Sequence, residues 1–160
     1  MFAPHSAEAM SSAAHSSQTR RSSLMNVGRR VDYAVRALSY LAAQPAERVV
    51  PRIEIQDRQC IPPHYLSKIL RKLVTAGYLV SLPGARGGFR LSAAAERISM
   101  LDVYECIEGP LCLMECIDDE EAYCRFAPVC GQRNVWSGAQ EALGRYLAQV
   151  SMSDLRILYI

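Results

Sequence analysis

Several kinds of chemistry are missing from these 160 residues. The chain has three histidines, and none follows His64. No P-loop, GxSxG or HExxH motif is present. Because His64 is the one histidine in the patterned part of the chain, Ser-His-Asp or Cys-His catalysis has little to build on. The sequence therefore disfavours an enzyme.

Long apolar runs are also missing. No stretch approaches the roughly 20 apolar residues that a membrane-spanning helix requires, and residues 1–24 contain no apolar segment typical of a secretory signal. Residues 1–24 are rich in Ser and Ala, which predicts a disordered tail. We expect a cytoplasmic protein without membrane contact. In that compartment six cysteines bind metal or sense redox state more often than they form disulfides.

The formal net charge of +2 conceals two oppositely charged parts. Residues 25–91 contain eleven Lys and Arg against four Asp and Glu, a net charge of +7, whereas residues 92–160 carry −6. This division suggests one part that meets a polyanion and another part with a different task. Two ordinary solvated surfaces would give the same charge division. Charge alone therefore does not indicate DNA binding, and the basic part must also show the fold of a nucleic-acid-binding domain.

Three helices are predicted in the basic part. Apolar residues recur at three- and four-residue intervals over residues 31–42, which indicates a first amphipathic helix. A short second helix is expected at about residues 52–59. A third begins at Pro63, which suits a first helical position, and ends just before Gly77. The second and third helices would form a helix-turn-helix, whose second helix enters the major groove of DNA.

The third helix carries hydrogen-bond donors on the face opposite its apolar stripe. Such donors bond base edges and phosphates, and no carboxylate interrupts them, although a solvated surface helix would look similar. The candidate DNA-binding residues on this face are His64, Ser67, Lys68, Arg71 and Lys72.

A glycine-rich hairpin, "YLVSLPGARGGFRLS", follows the third helix. Residues 78–81 and 89–91 are predicted to form two short strands with Arg86 at the tip of their connection. In this order the pattern indicates a winged helix, with the wing touching the DNA backbone or minor groove. We therefore expect a mainly α fold with a small β-wing, and DNA binding within residues 25–95. The wing glycines are Gly84, Gly87 and Gly88.

Three spaced cysteines lie in the acidic part. Cys116, Cys124 and Cys130 are separated by seven and five residues, and residues 118–121 between the first two are all acidic. Four carboxylates oppose thiolate formation unless a cation is bound, which argues against sensing by thiols alone. Zinc sites usually contain a tight pair such as CxxC, whereas iron-sulfur clusters accept thiolates from well-spaced positions. The spacing favours a cluster.

The other cysteines leave alternatives open. Cys112 forms CxxxC with Cys116, and together with Cys124 and Cys130 these residues could hold a structural zinc ion. Cys60, in the turn of the helix-turn-helix, is predicted to be a small packing residue. Cys106 lies on an apolar helical pattern and is predicted to belong to the core.

The C-terminal segment "VWSGAQEALGRYLAQV" predicts a helix with an apolar stripe. The stripe could pack on its own domain or on a second copy of the chain, and we favour the second copy. A two-fold dimer places its recognition helices about 34 Å, or a multiple of that distance, apart on DNA. The stripe consists of Trp136, Ala139, Leu143, Tyr146, Leu147 and Val150.

Residues 27 to about 155 resemble the Rrf-type family of bacterial transcription regulators, which includes IscR, NsrR and RirA. The likeness lies in "DYAVRALSYLA", "IPPHYLSKILRKLVTAGYLVS", "GARGGFRLS", "ISMLDVYECIEGPL" and the spaced cysteines. It implies a homodimer that binds a palindromic operator and holds a [2Fe-2S] or [4Fe-4S] cluster through Cys116, Cys124 and Cys130. Residues 96–160 would then form the cluster-binding loop and the dimerisation helix of a regulator, expected to be a repressor, that senses iron, redox or nitric-oxide status.

Three positions qualify the resemblance. One branch of the family places a histidine three residues after the last cysteine, and Arg133 stands there. A second family solution takes an acid from the first helix of the other subunit as the fourth ligand, and Asp32 matches it. An N-terminal helix acid favoured by the helix dipole explains Asp32 at least as well. An external thiol, water or Cys112 could also fill the fourth position. Pro83 replaces the basic residue that many members have before the first wing glycine.

Overall fold

The structure, a computed structural model, describes residues 27–92, 97–118, 126 and 129–155. The predicted tail, residues 1–24, lies outside this part. The order of elements confirms the mainly α fold with a two-stranded antiparallel wing. The elements are α1 (Arg29–Ala42), α2 (Arg52–Gln59), α3 (Pro63–Thr75), β1 (Leu79–Leu82), β2 (Gly88–Leu91), α4 (Met100–Glu108), α5 (Glu115–Asp118) and α6 (Gly131–Gln149).

Helix α1 is the centre of the core. It packs against α2, α3 and α4, and its inward side chains are almost completely excluded from solvent because apolar residues recur with the helical period. Burial of each large aliphatic side chain is worth roughly 1.5–3 kcal/mol, so this contact dominates the stability of the fold. The fully buried residues contributed by these helices include Val31, Leu38, Ile55, Leu66, Leu70, Leu73, Val103 and Ile107.

The turn between α2 and α3 follows the predicted pattern. Pro63 occupies the start of α3, where its missing N–H costs no hydrogen bond, and Gly77 follows the end of the helix with φ +78°. Cys60 caps α2 in the left-handed region with φ +50°. Cys60 is exposed, so the prediction that it packs inside the turn is wrong. Its thiol lies 3.8 Å from the carbonyl oxygen of Asp57.

A partly buried polar cluster fixes α2 against α1. The Tyr40 hydroxyl donates to Glu54 Oε1 at 2.6 Å, and Arg48 Nη2 donates to the same oxygen at 2.8 Å. Burial raises the pKa of Tyr40, and the neighbouring Glu54 carboxylate raises it further. The phenol therefore stays a hydrogen-bond donor, which keeps the start of α2 at a defined place beside α1.

The wing is attached to the chain segment before α2. Val50 N donates to Phe89 O at 2.8 Å, and Phe89 N donates to Val50 O at 2.9 Å. A Cβ added at Gly88 would lie 2.3 Å from Val50 O, and one at Gly87 would lie 2.3 Å from Leu82 O. These two glycines are required by close backbone approach, whereas Gly84 is required by its φ of +104°.

Helix α4 joins the same core although it lies beyond the boundary expected at residue 95. Ser99 and Asp102 form a reciprocal capping box at its first turn. The chain returns here after α6, since Met100 N donates to Val150 O at 2.8 Å and Met152 N donates to Ile98 O at 2.9 Å. Met152 is fully buried. The C-terminal end of α6 is therefore anchored at the start of α4.

Substitution of Gly88 by alanine should destabilise the protein. The new methyl group would overlap the Val50 carbonyl, so the bridge to Phe89 must open or shift at a cost of roughly 1–3 kcal/mol. Urea unfolding followed by circular dichroism measures this change. Gly138→Ala is the matched control, since it adds a methyl group in open space inside α6 and should stabilise the helix by about 0.5–1 kcal/mol. Equal stability of Gly88→Ala and the wild type would contradict the close approach.

Candidate DNA interface and cysteine segment

The donor face of α3 is formed as the sequence pattern predicts. Leu66, Ile69, Leu70 and Leu73 anchor the opposite face in the core. The five candidate side chains are exposed on one continuous side of the helix, and α3 contains no acidic residue. The arrangement presents hydrogen-bond donors and positive charge to solvent, as a surface for a polyanion requires. The exposed residues are His64, Ser67, Lys68, Arg71 and Lys72.

One edge of this face is tied to α2. Arg52 Nη1 donates to Ser67 Oγ at 2.9 Å, and Ser67 Oγ donates to Pro63 O at 3.0 Å. Arg52 and Arg71 line an open crevice of about 380 Å³ between α3 and the wing. Sequence analysis missed Arg52. The available signal was its position directly after Pro51, in the first turn of α2, where a cation opposes the helix dipole.

The other edge of the face is tied to α4. Lys72 Nζ donates to Ile107 O, in the last turn of α4, at 2.8 Å. Arg30 in the first turn of α1 binds the Glu108 carboxylate, with Nε 3.1 Å from Oε1. Burial raises the pKa of the Cys106 thiol, and the positive charge of Lys72 partly offsets this rise. The end of α4 is thus held by both α1 and α3.

The wing places its predicted tip residue in solvent. Arg86 is exposed within the turn that Gly87 N and Gly84 O close at 2.9 Å. The Tyr78–Ser81 and Phe89–Leu91 strands of the prediction shift by one residue at three of their four ends, to Leu79–Leu82 and Gly88–Leu91. This small shift leaves Arg86 on the loop between the strands.

Two of the three spaced cysteines belong to the described part of the chain. Cys116 lies in α5, and Cys130 is the N-cap of α6, against which α5 packs. Both are partly exposed. Cys124 falls outside the described residues. Within residues 27–92, 97–118, 126 and 129–155, no three His, Cys, Asp or Glu side chains are grouped closely enough to hold a metal ion.

Cys116 and Cys130 can serve as thiolate ligands, either of an iron-sulfur cluster or of a metal ion. Cys116 and Cys130 are the two outer thiols of the spaced set and flank the segment that contains the third. An anionic sulfur ligand at Cys130 would also lie at the positive end of the α6 dipole. The donor set therefore suits a thiolate-bound group, with its middle member outside the described part.

Asp32 has a partner within its own helix. Its Oδ1 accepts from Arg36 Nε at 3.0 Å, and its Oδ2 lies 2.8 Å from Arg36 Nη2. This bidentate contact engages both carboxylate oxygens. The Arg36 guanidinium also lies 5.9 Å from the centre of the Tyr33 ring. A ligand role for Asp32 would require this ion pair to open.

The fold and these surfaces match a known group of proteins. Residues 27–156 match the model of the family described as Rrf2, iron-dependent transcriptional regulator. The chain belongs to the Rrf2 family. It is 32% identical over 124 residues to the HTH-type transcriptional regulator NsrR of Bacillus licheniformis, covering 78% of this chain and 87% of that protein. It is 36% identical over 131 residues to protein rrf2 of Nitratidesulfovibrio vulgaris, covering 82% of this chain and 87% of that protein.

A solved structure supports the same fold. The structure of CymR, the global cysteine regulator of B. subtilis, superposes with a TM-score of 0.68 at 25% identity, covering 83% of this chain and 97% of that chain. The Rrf2-family chain is therefore a DNA-binding transcription regulator, and the prediction that it is not an enzyme is confirmed by its relatives. No helix in the described part of the chain is long and apolar enough to span a membrane.

Proposed function

We propose that this regulator is a homodimeric repressor that binds a palindromic operator in the cytoplasm under the control of an iron-sulfur cluster. Cys116, Cys124 and Cys130 would hold the cluster. The observation that carries the proposal is the placement of Cys116 on α5 and Cys130 at the N-terminus of α6, two elements that pack together. When bound, the group would supply a centre that reacts with oxidants or nitric oxide or is lost under iron limitation.

Helix α6 supports the dimer. None of its nineteen residues, all of them described, is buried, although Trp136, Leu143 and Leu147 lie on one apolar stripe. Tyr146 on the same stripe is 65% exposed. Helix α6 is held in place at its end by Met152 and along its length by Gln140, which accepts from Leu113 N at 2.8 Å. A long, fixed helix whose apolar stripe is only partly covered suits a two-fold contact with a second copy.

Tyr146→Glu should dissociate the proposed dimer. Each two-fold interface would contain two introduced charges in an apolar contact, so the dimer dissociation constant should rise by roughly 100-fold or more. Sedimentation equilibrium measures it. Ala148→Glu is the control, because it adds the same charge to an exposed position about 160° around α6 from Tyr146. If Tyr146→Glu and Ala148→Glu dimerise equally, the stripe is not the interface.

DNA reading is assigned to the middle of the α3 face and to the wing. His64, Lys68 and Arg71 would enter the major groove, and Arg86 would contact the backbone or minor groove. Ser67 and Lys72 lie at the two edges of the face, where Arg52 and Ile107 already bind them. The proposal therefore separates residues that face DNA from residues that hold α3 in position.

Helix α4 links residues 109–118, which carry Cys112 and Cys116 and are called the cysteine segment below, to α3. The segment that leads to Cys116 starts directly after Glu108, and the carbonyl of Ile107 accepts from Lys72 in the last turn of α4. Glu108 itself binds Arg30 of α1. A displacement of residues 109–116 relative to α6 would therefore pull on the end of α4 and, through Lys72, on α3. Operator affinity would depend in this way on the state of the cysteine segment.

Lys72→Met should reduce the difference in operator affinity between untreated and nitric-oxide-treated protein. A hydrogen bond from a charged donor contributes roughly 1.5–3 kcal/mol, so its loss should lower the ratio of operator affinities, untreated to nitric-oxide-treated protein, by roughly 10- to 150-fold. Fluorescence anisotropy with an operator fragment gives both affinities. Lys68→Ala is the comparison, since it should weaken both states by the same factor. If Lys72→Met also weakens both states equally, Lys72 contacts DNA and does not link α4 to α3.

The cluster itself has a direct test. Anaerobically purified protein should contain iron and acid-labile sulfide in stoichiometric amounts, and Cys116→Ala and Cys124→Ala should lose both along with the response to oxidant, iron limitation or nitric oxide. Cys60→Ala should retain them, because that thiol is exposed on the turn before α3. If the protein contains zinc and no sulfide, the cluster proposal is wrong and the cysteines hold a structural metal ion. A response that persists without metal would indicate sensing by thiols alone.

A further inference from the structure

We infer that Arg52 binds a phosphate of the operator backbone and that Ser67 positions its guanidinium group instead of reading a base. The inference rests on the DNA-binding role of the α3 face and adds a contact from α2 to it. It also changes the role that the sequence pattern alone would give to Ser67.

The hydrogen bonds of Ser67 leave it little to offer to DNA. Its hydroxyl has one proton, which it donates to Pro63 O at 3.0 Å, and one of its two lone pairs accepts from Arg52 Nη1 at 2.9 Å. The remaining lone pair can only accept. Phosphate oxygens and the N7 and O6 atoms of guanine are acceptors too, so Ser67 in this state cannot bond any of them.

Arg52 has the opposite properties. A guanidinium group has five N–H donors, and the bond to Ser67 uses one of them. The side chain is exposed, and its position in the first turn of α2 opposes the helix dipole, so helix stability does not explain a cation there. The bond to Ser67 instead holds the guanidinium beside the first half of α3. A positioned cation loses less conformational freedom when it binds an anion.

The surroundings of Arg52 suit a phosphodiester. Arg52 and Arg71 line the crevice of about 380 Å³ between α3 and the wing, and Ser81 of β1 contributes to its wall. None of the residues that line this crevice is acidic. In a helix-turn-helix the first helix crosses the DNA backbone while the second lies in the groove. The N-terminus of α2, next to α3, is therefore where a backbone phosphate would meet Arg52.

Salt-dependent operator binding tests this assignment. Arg52→Gln should lower the affinity and reduce the slope of log affinity against log salt by about 0.9 for each protomer, because one phosphate contact is lost. Ser67→Ala should keep the slope, since the charge remains, and lower the affinity several-fold. In the Arg52→Gln background, Ser67→Ala should have no further effect. Arg58→Gln, at the other end of α2, should leave affinity and slope unchanged.

Two results would overturn the inference. An unchanged slope for Arg52→Gln would remove the phosphate contact, and an equal loss for Ser67→Ala in both backgrounds would show that Ser67 contacts DNA itself. Lys68→Ala and Arg86→Ala separate these failures from a failure of the DNA-reading assignment. If both weaken binding while Arg52→Gln does not, only the inference fails. If neither weakens binding, the assigned DNA surface is wrong as well.

Discussion

The burial of α1 is the constraint on which the other elements depend. Val31, Ala34, Leu38 and the other inward residues of α1 are closed off by α2, α3 and α4 together, so none of these three helices can move without exposing apolar surface. The Tyr40 and Glu54 contact adds a directional restraint on α2. The orientation of α3 is therefore set by the core. A regulatory signal has to act at the periphery of this core, where contacts are polar and separately breakable.

The polar contacts of α3 lie at such a periphery. Arg52 binds Ser67 at one edge of the donor face of α3, and Ile107 O binds Lys72 at the other edge. Between these edges lie His64, Lys68 and Arg71. The first contact comes from the neighbouring helix of the helix-turn-helix and the second from the helix that precedes the cysteine segment. In our proposal the first edge prepares a DNA contact and the second receives the signal. A modest shift at either edge would change affinity without repacking the core.

The elements were more predictable than the side-chain partners. The bounds of α3 follow from Pro63, Gly77 and the apolar period, because these are local properties of the chain. The contacts Arg52 to Ser67 and Lys72 to Ile107 join residues 15 and 35 positions apart, and they depend on how the helices cross. Cys60 was misassigned for a related reason. The left-handed conformation of Cys60 and its exposure depend on how the chain turns between α2 and α3, which composition does not reveal.

Helix α6 combines tasks that would otherwise require separate elements. Its N-cap is Cys130, its middle binds Leu113 through Gln140, and the strand-like bridge that follows it fixes the start of α4. In the proposed dimer its partly covered apolar stripe would also pair the two protomers. Any displacement of the cysteine segment against α6 would then also move one protomer relative to its partner. It would change the position of each recognition helix relative to the other half of the palindrome. Because the distance between two recognition helices must match the DNA repeat, a small rotation of each protomer about α6 is sufficient to alter operator binding.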